Sequence, residues 1–225
     1  MTDFRKLLLL DCDGVLADTE EISCGAVAAA FTEAGVPIST PEAVHLFTGT
    51  DRVYLTEWLI DHGVTDKEAL AQAFARKDEL TLRGIREELP PGPDTVAALE
   101  RLAAKGVTLA VTSNSIHGRL ELTLEKIGVL PLVEGRVFSA ADVPRGKPAP
   151  DLHLLACRSC GFEPAEAVVI DDSTAGVRGG VAAGIRSVGF TRWAEDREAA
   201  AAKLRAAGAC GVINSIGEIA PFLGL

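Results

Sequence analysis

Long apolar segments, cysteine and basic residues are all scarce in this chain of 225 residues. The apolar run Leu7–Leu10 is far shorter than the roughly 20 residues that a membrane span requires. Asp3 and Asp11 flank that run too closely for a secretory signal sequence. The five cysteines are an odd number in a long chain, so they cannot form a complete disulfide framework. These shortages exclude a membrane protein and a disulfide-stapled secreted domain, and they predict a cytoplasmic location.

Basic residues are outnumbered by acidic ones, 22 Lys and Arg against 32 Asp and Glu, which gives a formal net charge of −10. Nucleic acids and anionic membranes bind clustered positive charge, so neither is an expected partner. Net charge alone does not exclude a small acidic substrate. Apolar residues make up 48% of the chain, enough for a sizeable core. At roughly 150 residues per domain, the length fits one large domain or a domain with an inserted module.

Short apolar runs alternate with amphipathic stretches of helical length along most of the chain. The runs of strand length are 7–10, 107–112, 167–170, 186–190 and 210–213. The helical stretches between them are 94–105, 117–127, 151–160, 175–183 and 195–207. Continuous apolar strands are typical of parallel sheets that helices cover on both faces. The alternation therefore predicts a doubly wound parallel α/β sheet.

The segment 16–88 interrupts this alternation, because it contains no convincing strand. Its stretches of helical period are 20–34, 52–62 and 67–88. The stiff sequence Pro90-Pro-Gly-Pro93 follows directly and favours a boundary there. We therefore predict an α/β core domain of residues 1–15 and 89–225, with a small helical cap domain, residues 16–88, inserted after the first strand.

Polar residues follow the predicted core strands at their carboxyl ends, where ligands bind in open parallel sheets. These residues are Asp11, Asp13, Thr112, Ser113, Asn114, Asp171 and Asp172, with Lys147 in a nearby loop. Four carboxylates at one edge of a sheet repel one another unless a cation lies among them. A hard, oxygen-ligated ion such as Mg²⁺ would remove that repulsion. A divalent cation combined with a lysine and a hydroxyl group suits a phosphoryl group.

The same residues provide the groups that a two-step phosphoryl transfer requires. Asp11 can act as a nucleophile and form an aspartyl-phosphate. Asp13, two residues further on, can protonate the leaving oxygen and later deprotonate water. The sequence therefore predicts Mg²⁺-dependent hydrolysis of a small phosphorylated metabolite.

Four motifs built from these residues resemble those of the haloacid dehalogenase superfamily, and they occur in the same order. They are Asp11-x-Asp-Gly-Val, Thr112-Ser-Asn, Lys147-Pro-x-Pro and Ile170-Asp-Asp-Ser-Thr-Ala-Gly. The longer sequences around Asp11 and Asp171 resemble the branch that contains β-phosphoglucomutase, CbbY-type proteins and sugar-phosphate phosphatases. Members of this branch carry a small helical cap after the first motif, which is where the helical insertion is predicted above.

The resemblance implies a role for each matching catalytic residue. Asp11 would be the nucleophile, Asp13 the general acid and base, and Lys147 the lysine that contacts the phosphoryl group and the nucleophile. Asp11 and Asp172 would bind Mg²⁺ through their side chains, and Asp13 through its main-chain carbonyl. Asp171 would be a further metal ligand or an acid that supports the ligands.

The resemblance also implies residues that bind the phosphate group. Ser113, and with less support Thr112, lies where the family places its phosphate-binding region, and Asn114 lies in the adjoining loop. Thr19 belongs to a stretch that resembles the hinge next to the active site, so it is a further candidate for substrate binding.

In the predicted cap, the sequence Thr48-Gly-Thr-Asp-Arg resembles the substrate-specificity loop, whose arginine, Arg52 here, binds a distal phosphate or carboxylate. Lys77 falls near a cap lysine of the mutase. Ser23 departs from the pattern, because mutase and CbbY-like members usually have a histidine near this position. This departure favours simple hydrolysis over the mutase reaction.

Two other functions stay open. A phosphomutase of the same fold would need a bisphosphate intermediate that reorients. A phospho-accepting receiver or a non-catalytic phosphate-binding regulator also uses an Asp, a Lys and a hydroxyl on such a sheet, but it lacks an acid at the position of Asp13 and a cap insertion. The favoured function is hydrolysis of a sugar phosphate or sugar-acid phosphate by a monomeric, Mg²⁺-dependent enzyme.

Overall fold

The computed structural model describes residues 6–50 and 52–224. The described chain forms two compact units: a helical unit, Thr19–Leu89, and a core unit made of the residues up to Asp18 and from Pro90 onward. That residues 1–15 with 89–225 form one domain and residues 16–88 form another stays a prediction.

The described part of the helical unit contains α1 (Glu20–Glu33), α2 (Thr40–Phe47), α3 (Arg52–Asp61) and α4 (Lys67–Glu88). Its core is aromatic: the fully buried Phe31 stacks on Trp58 with their ring centroids 5.8 Å apart. Phe47 and Phe74 each make a T-shaped, edge-to-face contact with Phe31. Aromatic rings bury large apolar areas, so these contacts give a small unit a substantial core.

Helix α2 was not predicted from its apolar pattern, although its start carries a clear local signal. The Ser39 side chain accepts a hydrogen bond from the Glu42 amide, and the Glu42 carboxylate accepts one from the Ser39 amide, which is a capping box. Pro41 lies in the first turn, where its missing N–H costs no helical hydrogen bond.

A parallel sheet lies at the centre of the core unit. Counting only described residues, it has six strands: β1 (Lys6–Leu10), β2 (Val107–Ser113), β3 (Val137–Ser139), β4 (Ala167–Asp171), β5 (Arg186–Phe190) and β6 (Val212–Ile213). Their spatial order is β3-β2-β1-β4-β5-β6. Successive side chains of a strand point to opposite faces, yet Leu7, Leu8, Leu9 and Leu10 are all 0% exposed. Both faces are therefore covered, and the predicted doubly wound α/β fold is confirmed.

The helices of the core unit lie between these strands and after the last one. They are α5 (Pro93–Ala104), α6 (His117–Lys126), α7 (Leu130–Val133), α8 (Asp151–Cys160), α9 (Thr174–Ala182), α10 (Arg197–Ala206) and α11 (Ile219–Leu223). Strand β3 was not predicted, because three residues are too few to show a period. Strand β6 is shorter than the predicted 210–213. Over the described ranges, none of the helices combines the length and the apolar character that crossing a bilayer demands.

The strand register brings three predicted site residues to one edge of the sheet. Leu10 pairs with Val111 of β2 on one side and with Ile170 of β4 on the other. The next residues along the three strands, Asp11, Thr112 and Asp171, therefore lie side by side at their carboxyl ends. This is the edge at which ligands bind in open α/β sheets.

Candidate active site

The end of β1 holds Asp11 and then turns sharply. The Asp11 amide donates a hydrogen bond to the Ile170 carbonyl at 3.0 Å, which keeps Asp11 beside β4. The Gly14 amide donates to the Ala17 carbonyl at 2.8 Å and closes the turn that carries Asp13. Gly14 has a φ of +79°, a conformation that other residues rarely adopt.

Lys147 lies between two carboxylates in the interior of the core unit. Its ammonium donates to Asp11 Oδ1 at 2.8 Å and to Asp171 Oδ2 at 2.7 Å. The Lys147 side chain is 3% exposed and that of Asp171 is 0% exposed. Burial by itself would lower the pKa of Lys147, but the charges of Asp11 and Asp171 outweigh it and raise that pKa. Lys147 is therefore a permanent positive charge in this site.

Asp11 titrates far above the usual range of a carboxyl group. Burial is the main cause that raises the pKa of Asp11, to about 7. The Lys147 ammonium lowers this pKa, whereas the charges of Asp171 and Asp13 raise it. In the absence of a further cation, the site therefore has more negative charge than one lysine offsets.

A group of carboxylates here has the chemistry that a hard divalent cation requires. One ligand oxygen from each of Asp11, Asp171 and Asp172 lies within 4.8 Å of the others. Two of these three side chains are buried, and Asp172 is exposed. Carboxylate oxygens are the ligands that Mg²⁺ prefers, so this donor set fits the predicted ion.

Two glycines, which have no side chain, make room for two of these carboxylates. A Cβ atom on Gly14 would overlap the Asp172 carboxylate, and one on Gly176 would overlap the Asp171 carboxylate. Asp171 is further fixed because its Oδ1 accepts hydrogen bonds from the Ser173 amide and hydroxyl, at 2.9 and 2.7 Å. The carboxylates are thus held close together by the backbone around them.

The residues at the carboxyl end of β2 have different hydrogen-bond partners. The Asn114 side-chain nitrogen, Nδ2, donates to the Lys147 carbonyl at 3.0 Å, and its side-chain oxygen, Oδ1, accepts from the Lys147 backbone amide at 2.9 Å. The Ser113 hydroxyl accepts a hydrogen bond from the Ser115 amide at 3.1 Å. The Thr112 hydroxyl is buried and has no hydrogen-bond partner among the described residues. The Asn114 side chain therefore fixes the backbone of the lysine loop.

Sequence reasoning did not single out the residues that contact the Asp13 side chain. Ser115 Oγ donates to Asp13 Oδ2, and Arg119 Nη2 donates to Asp13 Oδ1, both at 2.8 Å. Ser115 directly follows the second motif, and Arg119 lies in the first turn of α6. Their adjacency to that motif is the only signal in the sequence that could have suggested them.

Three predicted binding residues lie in the helical unit. The Arg52 guanidinium lies over the Phe74 ring at 4.2 Å from its centroid. Lys77 Nζ is 2.9 Å from Asp78 Oδ1. Thr19 is buried at 2% exposure. Their roles in substrate binding stay predictions.

The sequence and the fold are similar to known hydrolases. The model of the haloacid dehalogenase-like hydrolase family matches residues 5–184. The chain is 27% identical over 181 residues to 6-phosphogluconate phosphatase of Escherichia coli strain K12, with 80% of each chain covered. It is 32% identical over 193 residues to validoxylamine A 7'-phosphate phosphatase of Streptomyces hygroscopicus subsp. limoneus, with 83% of this chain and 85% of that one covered.

A solved structure extends the comparison to the CbbY proteins. CbbY from Rhodobacter sphaeroides in complex with phosphate superposes with a TM-score of 0.74 and is 25% identical. The alignment covers 95% of this chain and 96% of that one. The predicted resemblance to the superfamily, and to its branch with CbbY proteins and sugar-phosphate phosphatases, is confirmed.

Proposed function

The chain is a phosphatase of the haloacid dehalogenase-like hydrolase family, and we propose that it hydrolyses a sugar phosphate or sugar-acid phosphate through an aspartyl-phosphate on Asp11. The observation that carries the proposal is the buried contact of the Lys147 ammonium with Asp11 and Asp171. Lys147 lowers the pKa of a nucleophile whose pKa burial raises, and it offsets charge on an approaching phosphoryl group. Its place next to the nucleophile is what phosphoryl transfer requires.

In the first step, a carboxylate oxygen of Asp11 attacks phosphorus and the bond from phosphorus to the ester oxygen breaks. Asp13 gives its proton to the leaving oxygen, so an alcohol departs. In the second step, Asp13 takes a proton from water, whose oxygen attacks phosphorus, and the bond to Asp11 breaks. Inorganic phosphate leaves, and both carboxyl groups return to their starting states.

Mg²⁺ is the cofactor we propose for this site. Asp11, Asp171 and Asp172 would hold it with side-chain oxygens, and Asp13 with its main-chain carbonyl. When bound, the ion neutralises carboxylate and phosphate charge. The donor oxygens of the three side chains within 4.8 Å support this assignment.

We assign the remaining predicted residues to substrate binding. Thr112, Ser113 and Asn114 lie at the carboxyl end of β2, at the same sheet edge, and would form the phosphate region, Asn114 by fixing the lysine loop. Residues 16–88 would act as a cap that excludes water during the reaction, with Thr19, Arg52 and Lys77 as its specificity residues. The relatives named for sugar-acid and other phosphorylated substrates support the proposed substrate class. We also propose that the protein is a monomer and is located in the cytoplasm.

The test is a phosphate-release screen across phosphorylated sugars and sugar acids, with and without Mg²⁺. We expect Asp11→Asn to abolish release for every substrate and Arg52→Ala to weaken it for only some. Asp94→Asn is the matched control, because Asp94 is an exposed carboxylate in the first turn of α5 and does not belong to the group of Asp11, Asp171 and Asp172. Activity that survives Asp11→Asn would refute the aspartyl-phosphate. Isomerisation faster than phosphate release would establish the mutase instead, and no turnover with any ester would favour a regulator.

A further inference from the structure

Both carboxylate oxygens of Asp13 accept hydrogen bonds from one short segment that follows β2. Arg119 Nη2 donates to Oδ1 and Ser115 Oγ donates to Oδ2, each at 2.8 Å. A carboxylate fixed at both oxygens cannot rotate without breaking a hydrogen bond. The orientation of Asp13 is therefore set by Arg119 and Ser115 as well as by its own backbone.

Ser115 is itself firmly anchored. Its amide donates to Ser113 Oγ at 3.1 Å, and its carbonyl accepts from Ser139 Oγ at 2.7 Å. Ser113 ends β2 and Ser139 ends β3, so Ser115 is tied to two strands of the sheet. Arg119 belongs to the first turn of α6, where its amide donates to the Ile116 carbonyl at 3.1 Å. The donors thus belong to rigid elements, which is what precise placement of a functional group requires.

The Arg119–Asp13 pair differs from an ordinary surface ion pair. The side chains of Arg119 and Asp13 are 18% and 26% exposed, whereas Arg145 in the Arg145–Asp151 pair is 71% exposed. Exposed pairs contribute little to stability, because water screens them and both side chains lose freedom. The rigid guanidinium of arginine also orients a carboxylate better than a flexible lysine does. A mostly shielded arginine on a proposed catalytic carboxylate therefore points to a role in the reaction.

We propose that Arg119 and Ser115 are positioning residues that aim the Asp13 carboxyl group for proton transfer to the leaving oxygen. The proposal rests on the proposed function, in which Asp13 is the general acid and base. Neither residue needs to touch the substrate. Their effect is geometric, because proton transfer requires the acid within hydrogen-bond reach of the ester oxygen.

The test compares two esters that differ in their need for a general acid. p-Nitrophenyl phosphate releases a stable anion that needs little protonation, whereas phenyl phosphate releases a poorer leaving group. The value of kcat/KM reports the steps up to formation of the phosphoenzyme, so it isolates protonation of the leaving group. We expect Arg119→Met and Ser115→Ala to lower kcat/KM for phenyl phosphate roughly 10-fold or more, and for p-nitrophenyl phosphate less than threefold. Arg119→Lys should restore part of the loss.

Arg136→Met is the matched control. Arg136 is another partly buried arginine of the core unit, and its guanidinium donates hydrogen bonds to the carbonyls of Leu109 and Leu132. Its loss should lower Tm and leave the ratio of the two kcat/KM values unchanged. Equal losses for both esters in Arg119→Met, Arg119→Lys and Ser115→Ala, or no loss, would overturn the positioning role.

Asp13→Asn separates this inference from the function on which it rests. If Asp13→Asn lowers phenyl phosphate turnover selectively but the Arg119 and Ser115 variants do not, the positioning role alone is wrong. If Asp13→Asn leaves the ratio of the two esters unchanged, Asp13 is not the general acid, and both proposals fail. A selective loss in Asp13→Asn, Arg119→Met and Ser115→Ala supports both.

Discussion

Gly176 of α9 lies directly against the carboxylate of Asp171, and a Cβ atom there would overlap that carboxylate. We expect Gly176→Ala to displace Asp171 from the Lys147 ammonium and so to disturb the nucleophile on the other side of that ammonium. A shift of about 1 Å in a catalytic group can lower turnover roughly 100-fold. Turnover of p-nitrophenyl phosphate with Mg²⁺ measures the effect.

Gly118 provides the matched control for this substitution. It is also a helical glycine, in α6, and a Cβ atom on it would meet nothing within 4 Å apart from its chain neighbours and the backbone of its own helix. Gly118→Ala should keep full turnover and stabilise the fold by up to about 1 kcal/mol, because alanine favours a helix over glycine. Comparable turnover in the two variants would show that the Asp171 position is not critical.

At the scale of single residues, adjacency along the sheet could be predicted and side-chain partners could not. Asp11, Asp171 and Lys147 were expected at one edge, because the carboxyl ends of parallel strands meet there. The contacts of Asp13 cross 102 residues to Ser115 and 106 residues to Arg119. They depend on the path of the loop after β2, which no local pattern specifies. The catalytic roles themselves stay predictions until the variants are measured.

Helix α8 carries an unusual buried group, His153, which is 0% exposed. Neither ring nitrogen makes a hydrogen bond of ordinary geometry among the described residues. Burial is the main cause that lowers the pKa of His153 to about 4, and the nearby Lys147 charge lowers it further. The helix therefore holds a neutral imidazole whose protonation the fold opposes.

We expect His153→Phe to make the protein more resistant to acid. A histidine whose pKa is lowered by folding contributes its full stability above its ordinary pKa of 6.5, and this is lost as the pH falls toward 4. The loss is of order 2–3 kcal/mol at pH 4, and phenylalanine cannot take up the proton. Thermal unfolding between pH 7.5 and 4.5 should show a Tm advantage of the variant that grows as the pH falls.

His45→Phe is the control for that series, because His45 is exposed to solvent on α2. Its pH profile of Tm should run parallel to that of the unaltered protein. If the pH profile of Tm for His153→Phe also ran parallel to that of the unaltered protein, protonation of His153 would not be what destabilises the fold in acid.

At the scale of elements, long periodic segments could be predicted and short ones could not. The strands β1, β2, β4 and β5 each contain an apolar stretch and are largely buried, because both faces of the sheet are covered. Strand β3 has only Val137–Ser139 and forms the edge of the sheet beside β2, so its place follows from tertiary pairing. Helix α2 is identified by its capping box at Ser39 rather than by a long apolar stripe.

At the scale of the whole molecule, the net charge of −10 bears on which anions the protein can bind. An acidic surface repels polyanions, which need extended positive patches. A small phosphate ester needs only local compensation, and the buried Lys147 ammonium provides part of it. The remaining excess of carboxylates at the same edge requires a cation. The overall charge thus disfavours large anionic partners and is compatible with the proposed small phosphate ester and the proposed Mg²⁺.

In the absence of metal, the stability of the whole fold should depend on the pH through Asp11. Folding raises the pKa of Asp11 from 3.8 to about 7, chiefly through burial. A carboxyl group whose pKa is raised by folding contributes its full stability below 3.8 and loses it as the pH rises toward 7. The Tm of the metal-free protein should therefore fall between pH 5 and pH 8. Asp11→Asn should flatten this slope and raise Tm at pH 8, because it removes a buried negative charge.

Mg²⁺ should reverse that loss, and more so at high pH, because its carboxylate ligands must be ionised. At 100 times its Kd, a ligand stabilises by about 2.7 kcal/mol. For a chain of this size that is a rise in Tm of roughly 5–11 °C.

Differential scanning calorimetry at pH 5.5 and 8, with EDTA or with MgCl₂, measures the difference. Asp94→Asn should keep the full Mg²⁺ effect, since Asp94 lies outside the carboxylate group. A Mg²⁺ shift that is equal at the two pH values, or that survives in Asp11→Asn, would place the ion elsewhere than at the proposed site.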